Sequence, residues 1–358
     1  MRETDMKTAT KGRRAAGVAV EKVNIYDVAR AAGVSIATIS RAMNNREVVS
    51  SDTLRQIDRA MKELRYRPNL NARNLAQQKS NLITVLLSPR DEIHFSQVIM
   101  SMLVGIIRGA EKTQKRVTVH LLVRPEEEER LWENATDMEG AIVLNYMKKT
   151  AVIRDLELRG MPILYVNCTD DRRKHRVNVD DRAGASWVME YLIGLGHRRI
   201  ALLTGELASI SGLARLRGCE DVLRRHRLMD EIESARWIRN ARFDQKIAHS
   251  ETMDILKHEP RPTAIFAASD WMAMGVLTAI REKGLRVPGD ISVIGYDDTI
   301  LASQITPSLS TVHQPFIEMG QEAVDGLIQI EEKEDMKVYS KILSPRLIER
   351  ESSGPPPA

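Results

Sequence analysis

Cysteine and long apolar runs are both scarce in this 358-residue chain. Only Cys168 and Cys219 occur, which argues against a disulfide framework and is typical of a reducing compartment. We expect both to be small buried thiols. No apolar run approaches the roughly 18 residues of a membrane span, and the charged N-terminal stretch lacks the apolar core of a signal peptide. The sequence therefore predicts a soluble, cytoplasmic protein.

The sequence signatures of catalysis and of metal binding are also missing. The segment GELASISG (205–212) has two glycines but no following lysine, so it is not a phosphate loop, and no GxSxG nucleophile motif occurs. Asp297 and Asp298 have no nearby His/Cys spacing that would support a metal site. We therefore expect no cofactor, no metal and no enzymatic activity.

Positive charge is concentrated near the N-terminus. The net charge of +4 hides a division, because residues 1–79 hold 16 Lys and Arg against 8 Asp and Glu, whereas the remainder is net negative. A basic surface for a partner such as nucleic acid is therefore expected in the N-terminal segment.

That segment contains three short helical patterns between residues 24 and 65. Gly33 supplies a tight turn between the first two, and Ser35 stands where an N-cap would begin the second. Ile39 and Met43, four residues apart, are placed to pack on apolar side chains of the other two helices, namely Val28, Leu54 and Ile57. The pattern predicts a helix-turn-helix unit with a small core.

The other face of the second helix carries small residues and one long cation. Ile36, Ala37 and Arg41 are the candidates to read bases, because an arginine donates two hydrogen bonds to guanine and an isoleucine contacts a thymine methyl. Short polar side chains are the candidates to contact phosphates. These candidates are Asn24, Tyr26, Ser35, Thr38, Ser40, Asn44, Ser50, Thr53, Asn69 and Arg73. Such hydroxyls also serve as helix caps, and helix-turn-helix units occur in proteins that bind no DNA.

Beyond Ser80, apolar runs of strand length alternate with amphipathic stretches of helix length. This alternation over about 270 residues predicts parallel sheets covered on both faces, in two doubly wound lobes with a cleft between them. The predicted strands lie at 82–88, 117–123, 141–145, 162–167, 199–205, 263–269 and 291–297.

Several stretches together resemble the LacI/GalR family of bacterial transcription regulators, from Val23 to about Glu349. They are NIYDVARAAGVSIATISRAMNN, VSSDTLRQIDRAMKELRYRPN, ARNLAQQKSNLI, GLGHRRIALLTG, PTAIFAASDWMAMG, VPGDISVIGYDDT and PSLSTVHQP. The resemblance implies an all-α headpiece, a hinge helix and a periplasmic-binding-protein-like α/β core. It also implies that Leu75 wedges into the minor groove of operator DNA.

The domain boundaries follow from the patterns and the resemblance together. We predict a disordered basic arm, a DNA-binding domain, a hinge, a two-lobed core and a disordered tail. These span residues 1–22, 23–68, 69–80, 81–350 and 351–358. Within the core, the N-lobe is predicted at about 81–179 and 314–340, and the C-lobe at about 180–313 and 341–350.

An effector is expected where loops leave the carboxyl ends of the parallel strands. That rule selects residues that each close a predicted strand, namely Ser88, Asn145, Asn167, Ser269 and Asp297. The loop after residue 205 adds Ser209, Ser211 and Arg215, and the resemblance implies that the arginine and the aspartate grip the ligand. Phe243 aligns with a ring that stacks on the sugar in the family's namesake, and a place in the hydrophobic core is the alternative.

Departures from the family's namesake leave the effector open. Asn167 and Ser269 stand where that protein has aspartate and asparagine, and Ile36 and Ala37 replace a longer polar pair that reads operator bases. Phe95 is a second candidate to face an effector ring, although packing under its helix is the alternative. His197 is interpreted as a residue that caps or orients a turn, and Asp180 and Asp181 as residues that fix a helix start.

The leading hypothesis is a repressor that binds a pseudo-palindromic operator and is released by a sugar or glycoside. A homodimer is expected, because the sequence RLIERESSGPPPA contains no leucine-repeat helix for a tetramer. The alternatives are a purine- or nucleoside-responsive regulator of the same family and, from other classes, a carbohydrate-binding protein without a DNA role or an enzyme acting on sugars.

Overall fold

The computed structural model describes residues 24–44, 48–64, 66, 81–87, 95–121, 138–144, 151–168, 174–333 and 336–357. The chain divides into two compact units, Met1–Gln78 and Lys79–Ala358. The predicted arm and hinge, with Asn69, Arg73 and Leu75, lie outside the described residues.

The first unit is the predicted three-helix headpiece. Its helices are α1 (Ile25–Ala32), α2 (Ile36–Asn44) and α3 (Ser51–Glu63). Gly33 ends α1 with φ of 66°, a left-handed conformation that glycine adopts without steric cost. Val28, Ile39 and Ile57 are buried, and Met43 and Leu54 pack against them, which confirms the predicted core.

The second unit contains the remaining helices and strands. In chain order they are β1 (Leu82–Leu87), α4 (Phe95–Lys112), β2 (Arg116–Leu121), β3 (Gly140–Leu144), α5 (Ala151–Leu158), β4 (Ile163–Val166), β5 (His175–Val179), α6 (Asp181–Gly194), β6 (Ile200–Thr204), α7 (Ile210–Arg225), α8 (Met229–Ser234), β7 (Ile238–Asn240), α9 (Gln245–Ile255), β8 (Ala264–Ala267), α10 (Asp270–Glu282), β9 (Ser292–Ile294), α11 (Ile300–Gln304), β10 (Thr311–His313), α12 (Phe316–Glu332), β11 (Tyr339–Leu343) and β12 (Arg346–Ile348).

The strands form two parallel sheets, as the continuous apolar runs predict. In the N-lobe the order is β11-β5-β4-β3-β1-β2, and in the C-lobe it is β7-β6-β8-β9. Met102 of α4 and Leu327 of α12 cover one face of the first sheet, and Leu156 of α5 covers the other. The C-lobe buries one continuous apolar cluster around its own sheet.

The chain passes between the lobes at three places, from β5 to α6, from β10 to α12 and from β11 to β12. The amide of Asp180 donates to the carbonyl of Leu343 at 3.0 Å, which joins the first crossing to the third. The first sheet extends slightly beyond the predicted lobe boundary at about residue 340, because β11 pairs with β5 as far as Leu343.

All seven strands predicted from apolar runs are present, and the five strands that were not predicted are short or polar. The strands β5, β7 and β11 have the sequences HRVNV, IRN and YSKIL. The remaining two, β10 and β12, form a two-stranded antiparallel pair. Partly exposed strands need no continuous apolar run, so composition does not reveal them.

The prediction of a disordered tail is wrong for residues 351–357. Ser352 is fully buried, and its Oγ donates to the carbonyl of Val293 and accepts from the amide of Ser310. His197, also fully buried, donates from Nε2 to the carbonyl of Gly354 at 2.8 Å. The tail is therefore held against the C-lobe by buried hydrogen bonds, and His197 does more than orient its own turn.

Two further predictions concern single features. Cys168 and Cys219 are both buried, as expected. None of the helices in the described part of the chain is both long and apolar enough to cross a membrane.

Candidate DNA-binding face and effector cleft

The outer face of α2 presents the predicted base-reading residues to solvent. Ala37, Ser40 and Arg41 are exposed, and Ile36 remains 39% exposed although it is apolar. This face is free of the headpiece core because Ile39 and Ala42 of the same helix point into that core. Small side chains beside one arginine allow close approach to a major groove.

Several predicted phosphate contacts act as helix caps in the headpiece. Asn24 caps α1 through a reciprocal arrangement with Asp27, and the hydroxyls of Ser35 and Ser50 accept from the amides of Thr38 and Thr53. Each capping serine also lies within 2.9 Å of its threonine's hydroxyl. These groups fix the helix starts, and a phosphate contact from them remains a prediction. Tyr26 is 62% exposed, and the side chain of Asn44 lies outside the described residues.

A cleft opens between the two lobes of the second unit, with about 470 Å³ of empty space that includes its opening to solvent. Six of the predicted effector residues meet there with four others. The lining residues are Val98, Asn167, Ser211, Arg215, Phe243, Ser269, Trp271, Asp297, Gln314 and Phe316.

Arg215 is held from two sides at the base of this cleft. Its Nε donates to Oδ1 of Asp181 at 2.8 Å, and its Nη1 donates to the carbonyl of Ala268 and lies 3.5 Å from Oδ1 of Asp297. The guanidinium carbon stands 3.8 Å from the centre of the Tyr296 ring. All these contacts are in the buried interior of the lobe, so the arginine is oriented before any ligand arrives.

Asp297 connects the arginine to the second lobe crossing. Its Oδ1 accepts from Nε2 of Gln314 at 2.7 Å, and its amide donates to the carbonyl of Val312. Behind it, the buried carboxylate of Asp270 accepts from the amide and hydroxyl of Thr299. Burial raises the pKa of Asp297 to about 8, while Arg215 opposes this shift.

Three cleft residues have backbone conformations that side chains rarely adopt. The φ angles of Asn167, Phe243 and Asp297 are 52°, 61° and 121°. Such strain is tolerated only where the surrounding structure imposes it, and it is concentrated at functional sites. Positive φ alone does not mark the cleft, because six further described non-glycine residues, among them Gln114 and Arg227, share it.

Aromatic rings form part of the cleft wall. Phe243 lies directly over Gly205, and a Cβ at Gly205 would come within 2.0 Å of the ring. The glycine that follows β6 thus makes room for the ring rather than for a phosphate. Trp271 and Phe316 add two more aromatic side chains.

Other predicted effector residues are placed differently. Ser209 is not among the lining residues, because its hydroxyl caps α7 by accepting from the amide of Gly212 and donates to the carbonyl of Glu206. Ser88, Asn145 and the side chain of Phe95 lie outside the described residues. Asp180 caps α6 as interpreted, but Asp181 pairs with Arg215 rather than only starting the helix.

Sequence reasoning missed Val98, Trp271, Gln314 and Phe316 as lining residues and Asp181 as the partner of Arg215. Trp271 had a usable signal, since it is amphipathic and lies two positions after the predicted strand at 263–269, and Gln314 directly follows β10. Val98 and Phe316 are ordinary apolar helix residues, which only the packing of the lobes brings to the cleft.

Family models match both units of the chain. One described as "Bacterial regulatory proteins, lacI family" matches residues 24–69, and one described as "Periplasmic binding protein-like domain" matches residues 189–353. With the headpiece and cleft described above, these matches define a class, that of ligand-responsive DNA-binding transcriptional regulators.

Individual relatives extend over almost the whole chain. The lactose operon repressor of Escherichia coli (strain K12) is 33% identical over 93% of this chain and 91% of that protein. The HTH-type transcriptional repressor PurR of Edwardsiella ictaluri (strain 93-146) is 32% identical over 92% and 96%. A crystal structure of the lac repressor dimer bound to operator and the anti-inducer ONPF is 31% identical and covers 93% of this chain and 99% of its own, with a TM-score of 0.76. The chain belongs to the lacI family of bacterial regulatory proteins, and these relatives are transcriptional repressors rather than enzymes.

The raised pKa of Asp297 predicts a pH-dependent stability difference between the wild type and Asp297→Asn. The pKa of about 8 in the folded state lies above the ordinary value of 3.8 for an aspartate, so the folded protein binds the proton more tightly than the unfolded chain does. The stability that this proton contributes is complete at low pH and is lost as pH rises from about 4 to 8. Urea unfolding at pH 5 to 9 measures the free energy of unfolding of both proteins. The value for the variant should rise relative to that of the wild type by up to about 1.4 kcal/mol per pH unit, and the difference should level off above pH 8. A difference that stays constant over this range would contradict the shift.

Proposed function

We propose that this protein is a repressor that binds a pseudo-palindromic operator as a homodimer and is released by a small sugar or glycoside. The observation that carries the proposal is the fixed Arg215–Asp297 pair in a cleft lined by both lobes. The structure of the related lac repressor, a dimer bound to operator, supports the DNA partner and the dimer.

The chemistry of the cleft suits a hydroxylated ligand. Arg215 supplies only donors, Asp297 supplies acceptors when ionised, and Ser211, Asn167 and Gln314 supply groups of both kinds. Neighbouring sugar hydroxyls need such donors and acceptors in fixed directions. The described lining residues contain no histidine or cysteine. We propose that the cleft of this cytoplasmic regulator binds its ligand without reacting with it.

Lobe closure is the proposed link between ligand and DNA. Residues of both lobes line the cleft, and Gln314 and Phe316 lie at the second lobe crossing, so a bound ligand favours one lobe orientation over another. Two headpieces on two half-sites tolerate only one spacing, so closure lowers operator affinity. By linkage, operator must weaken effector binding by the same factor.

A purine or nucleoside is the second candidate effector. The curated relatives include repressors named PurR at 30–32% identity, and the rings of Phe243, Trp271 and Phe316 provide surfaces on which a base can stack. A corepressor of this kind would strengthen operator binding rather than release it.

Duplexes selected from a random DNA library would test the proposal directly. We expect the selected sequences to be pseudo-palindromic, with an affinity that falls steeply as salt rises, because phosphate contacts release counterions. A panel of sugars, glycosides, purines and nucleosides is then added to the complex. Release by a sugar supports the proposal, tighter binding with a purine selects the second candidate, and selection of no sequence or salt-independent binding would overturn both.

Arg41→Ala is expected to remove base discrimination at one operator position in each half-site. The side chain is exposed on α2, and an arginine that contacts a guanine contributes about 1–3 kcal/mol of discrimination. Binding to operators with single substitutions measures the effect. Arg55→Ala on α3, where the arginine pairs with Asp52, is the matched control with the same change in charge. Equal loss of discrimination in both variants would show that Arg41 contributes only charge.

A further inference from the structure

Asp181 lies beneath the candidate site without lining it. The first residue of α6, it is 6% exposed and is not among the residues that line the cleft. Its carboxylate nevertheless contacts the Nε of Arg215 at 2.8 Å, which is closer than the 3.5 Å between Arg215 and Asp297. The cleft arginine therefore has a buried counter-ion that is not itself part of the cleft lining.

This arrangement decides the charge that a ligand meets. Arg215 is the one cation among the described residues of the lining, and two carboxylates stand within 3.5 Å of it. Burial raises the pKa of Asp181 and of Asp297, and Arg215 opposes both shifts. With Asp181 ionised against Arg215, the three side chains together are neutral when Asp297 is protonated and carry a net negative charge when Asp297 is ionised. In these two states the base of the cleft offers no net positive charge to an anion.

The hydrogen-bond donors of Arg215 are also arranged unfavourably for an anionic ligand. An arginine binds phosphate or carboxylate most strongly through two parallel N–H donors on one edge of the guanidinium. Here Nε is occupied by Asp181 and Nη1 by the carbonyl of Ala268. An incoming anion would have to displace a buried carboxylate, which would leave that carboxylate uncompensated.

We propose that Asp181 is a specificity-determining positioning residue that neutralises and orients Arg215, so that the cleft accepts uncharged hydroxylated ligands and rejects phosphorylated or carboxylated ones. The inference rests on the proposed role of the cleft as the effector site. It deepens that role because it assigns discrimination between ligand classes to a residue that does not touch the ligand.

Inorganic phosphate is a suitable probe because it needs no knowledge of the natural effector. Binding to the full-length protein is measured by calorimetry at constant ionic strength, with chloride replacing phosphate in the reference. We expect no saturable binding to the wild type and an association constant at least tenfold higher for Asp181→Asn. Asp181→Glu restores the charge and should again exclude phosphate.

Asp180→Asn is the matched control. It removes the same charge one residue earlier, from an exposed carboxylate that caps α6, without contacting Arg215. Saturable binding of phosphate by the wild type, equal binding by the two Asn variants, or no increase in phosphate binding by a folded Asp181→Asn would each overturn the inference.

If Asp181→Asn does not fold, the inference is tested on the wild type with two ligands, D-galactose and D-galacturonate. Tighter binding of the galacturonate, or equal binding of both, contradicts the proposal, and exclusion of galacturonate alone supports it.

A separate measurement distinguishes this inference from the proposed function. Operator affinity of Asp181→Asn is measured with and without phosphate. Binding of phosphate without any change in operator affinity would leave the charge inference intact but would count against the cleft as the effector site.

Discussion

Arg215→Ala is expected to lower the free energy of unfolding by about 3–5 kcal/mol, the range for removing one partner of a buried ion pair. The arginine is 5% exposed and contacts two carboxylates, of which Asp181 is equally buried. Removing it leaves these carboxylates uncompensated, and it also removes the donor to the carbonyl of Ala268. Chemical denaturation monitored by circular dichroism measures the loss.

A second substitution tests the stated cause. Arg215→Met combined with Asp181→Asn should recover part of the stability lost in Arg215→Met alone, because it removes one of the unpaired charges. Arg182→Ala is the control, since Arg182 forms an exposed ion pair with Asp221, and such pairs contribute about 0–1 kcal/mol. A loss in Arg215→Ala no larger than that of the control would contradict the buried-pair interpretation.

This stability cost affects how the same variant is used to test effector binding. From the sequence alone, Arg215→Ala is expected to keep operator binding and to lose the response to ligand. The structure adds that the variant must first be shown to be folded under the assay conditions. Loss of operator binding in a folded Arg215→Ala would count against the effector assignment.

Deletion of residues 351–358 is expected to lower the free energy of unfolding by at least about 4 kcal/mol, because four buried polar groups lose their partners and each costs about 1–3 kcal/mol. The groups affected are the amide and carbonyl of Val293, the amide of Ser310 and the ring of His197. Thermal and urea unfolding of the deletion variant measure the loss.

A shorter deletion distinguishes the loss of these buried hydrogen bonds from the effect of shortening the chain. Residues 355–358 follow the last of these hydrogen bonds, and Pro356 only packs near Gly196. Deleting them should change stability by no more than about 0.5 kcal/mol, as is usual away from buried features. Equal losses in both deletions would show that the buried hydrogen bonds of Ser352 and Gly354 are not the cause.

The hydrophobic pattern of the sequence was sufficient for the architecture. Seven strands, the three headpiece helices and the two-lobed core follow from apolar runs and periodicity, because a strand buried on both faces must be apolar along its length. The tail shows where composition misleads, since SSGPPPA reads as disordered but has hydroxyls that satisfy buried backbone groups of the C-lobe.

The candidate site divides in a similar way. The sequence by itself determined that Asn167, Ser269 and Asp297 gather at one edge of their sheets, because parallel strands present their carboxyl ends together. Only the tertiary structure decided that Asp181 neutralises Arg215, that Ser209 caps a helix while Ser211 lines the cleft, and that Trp271 and Phe316 form its wall. The hydrophobic pattern of a segment is a local property of the chain, whereas the partner of a buried charge depends on which segments, here 34 residues apart, are packed together.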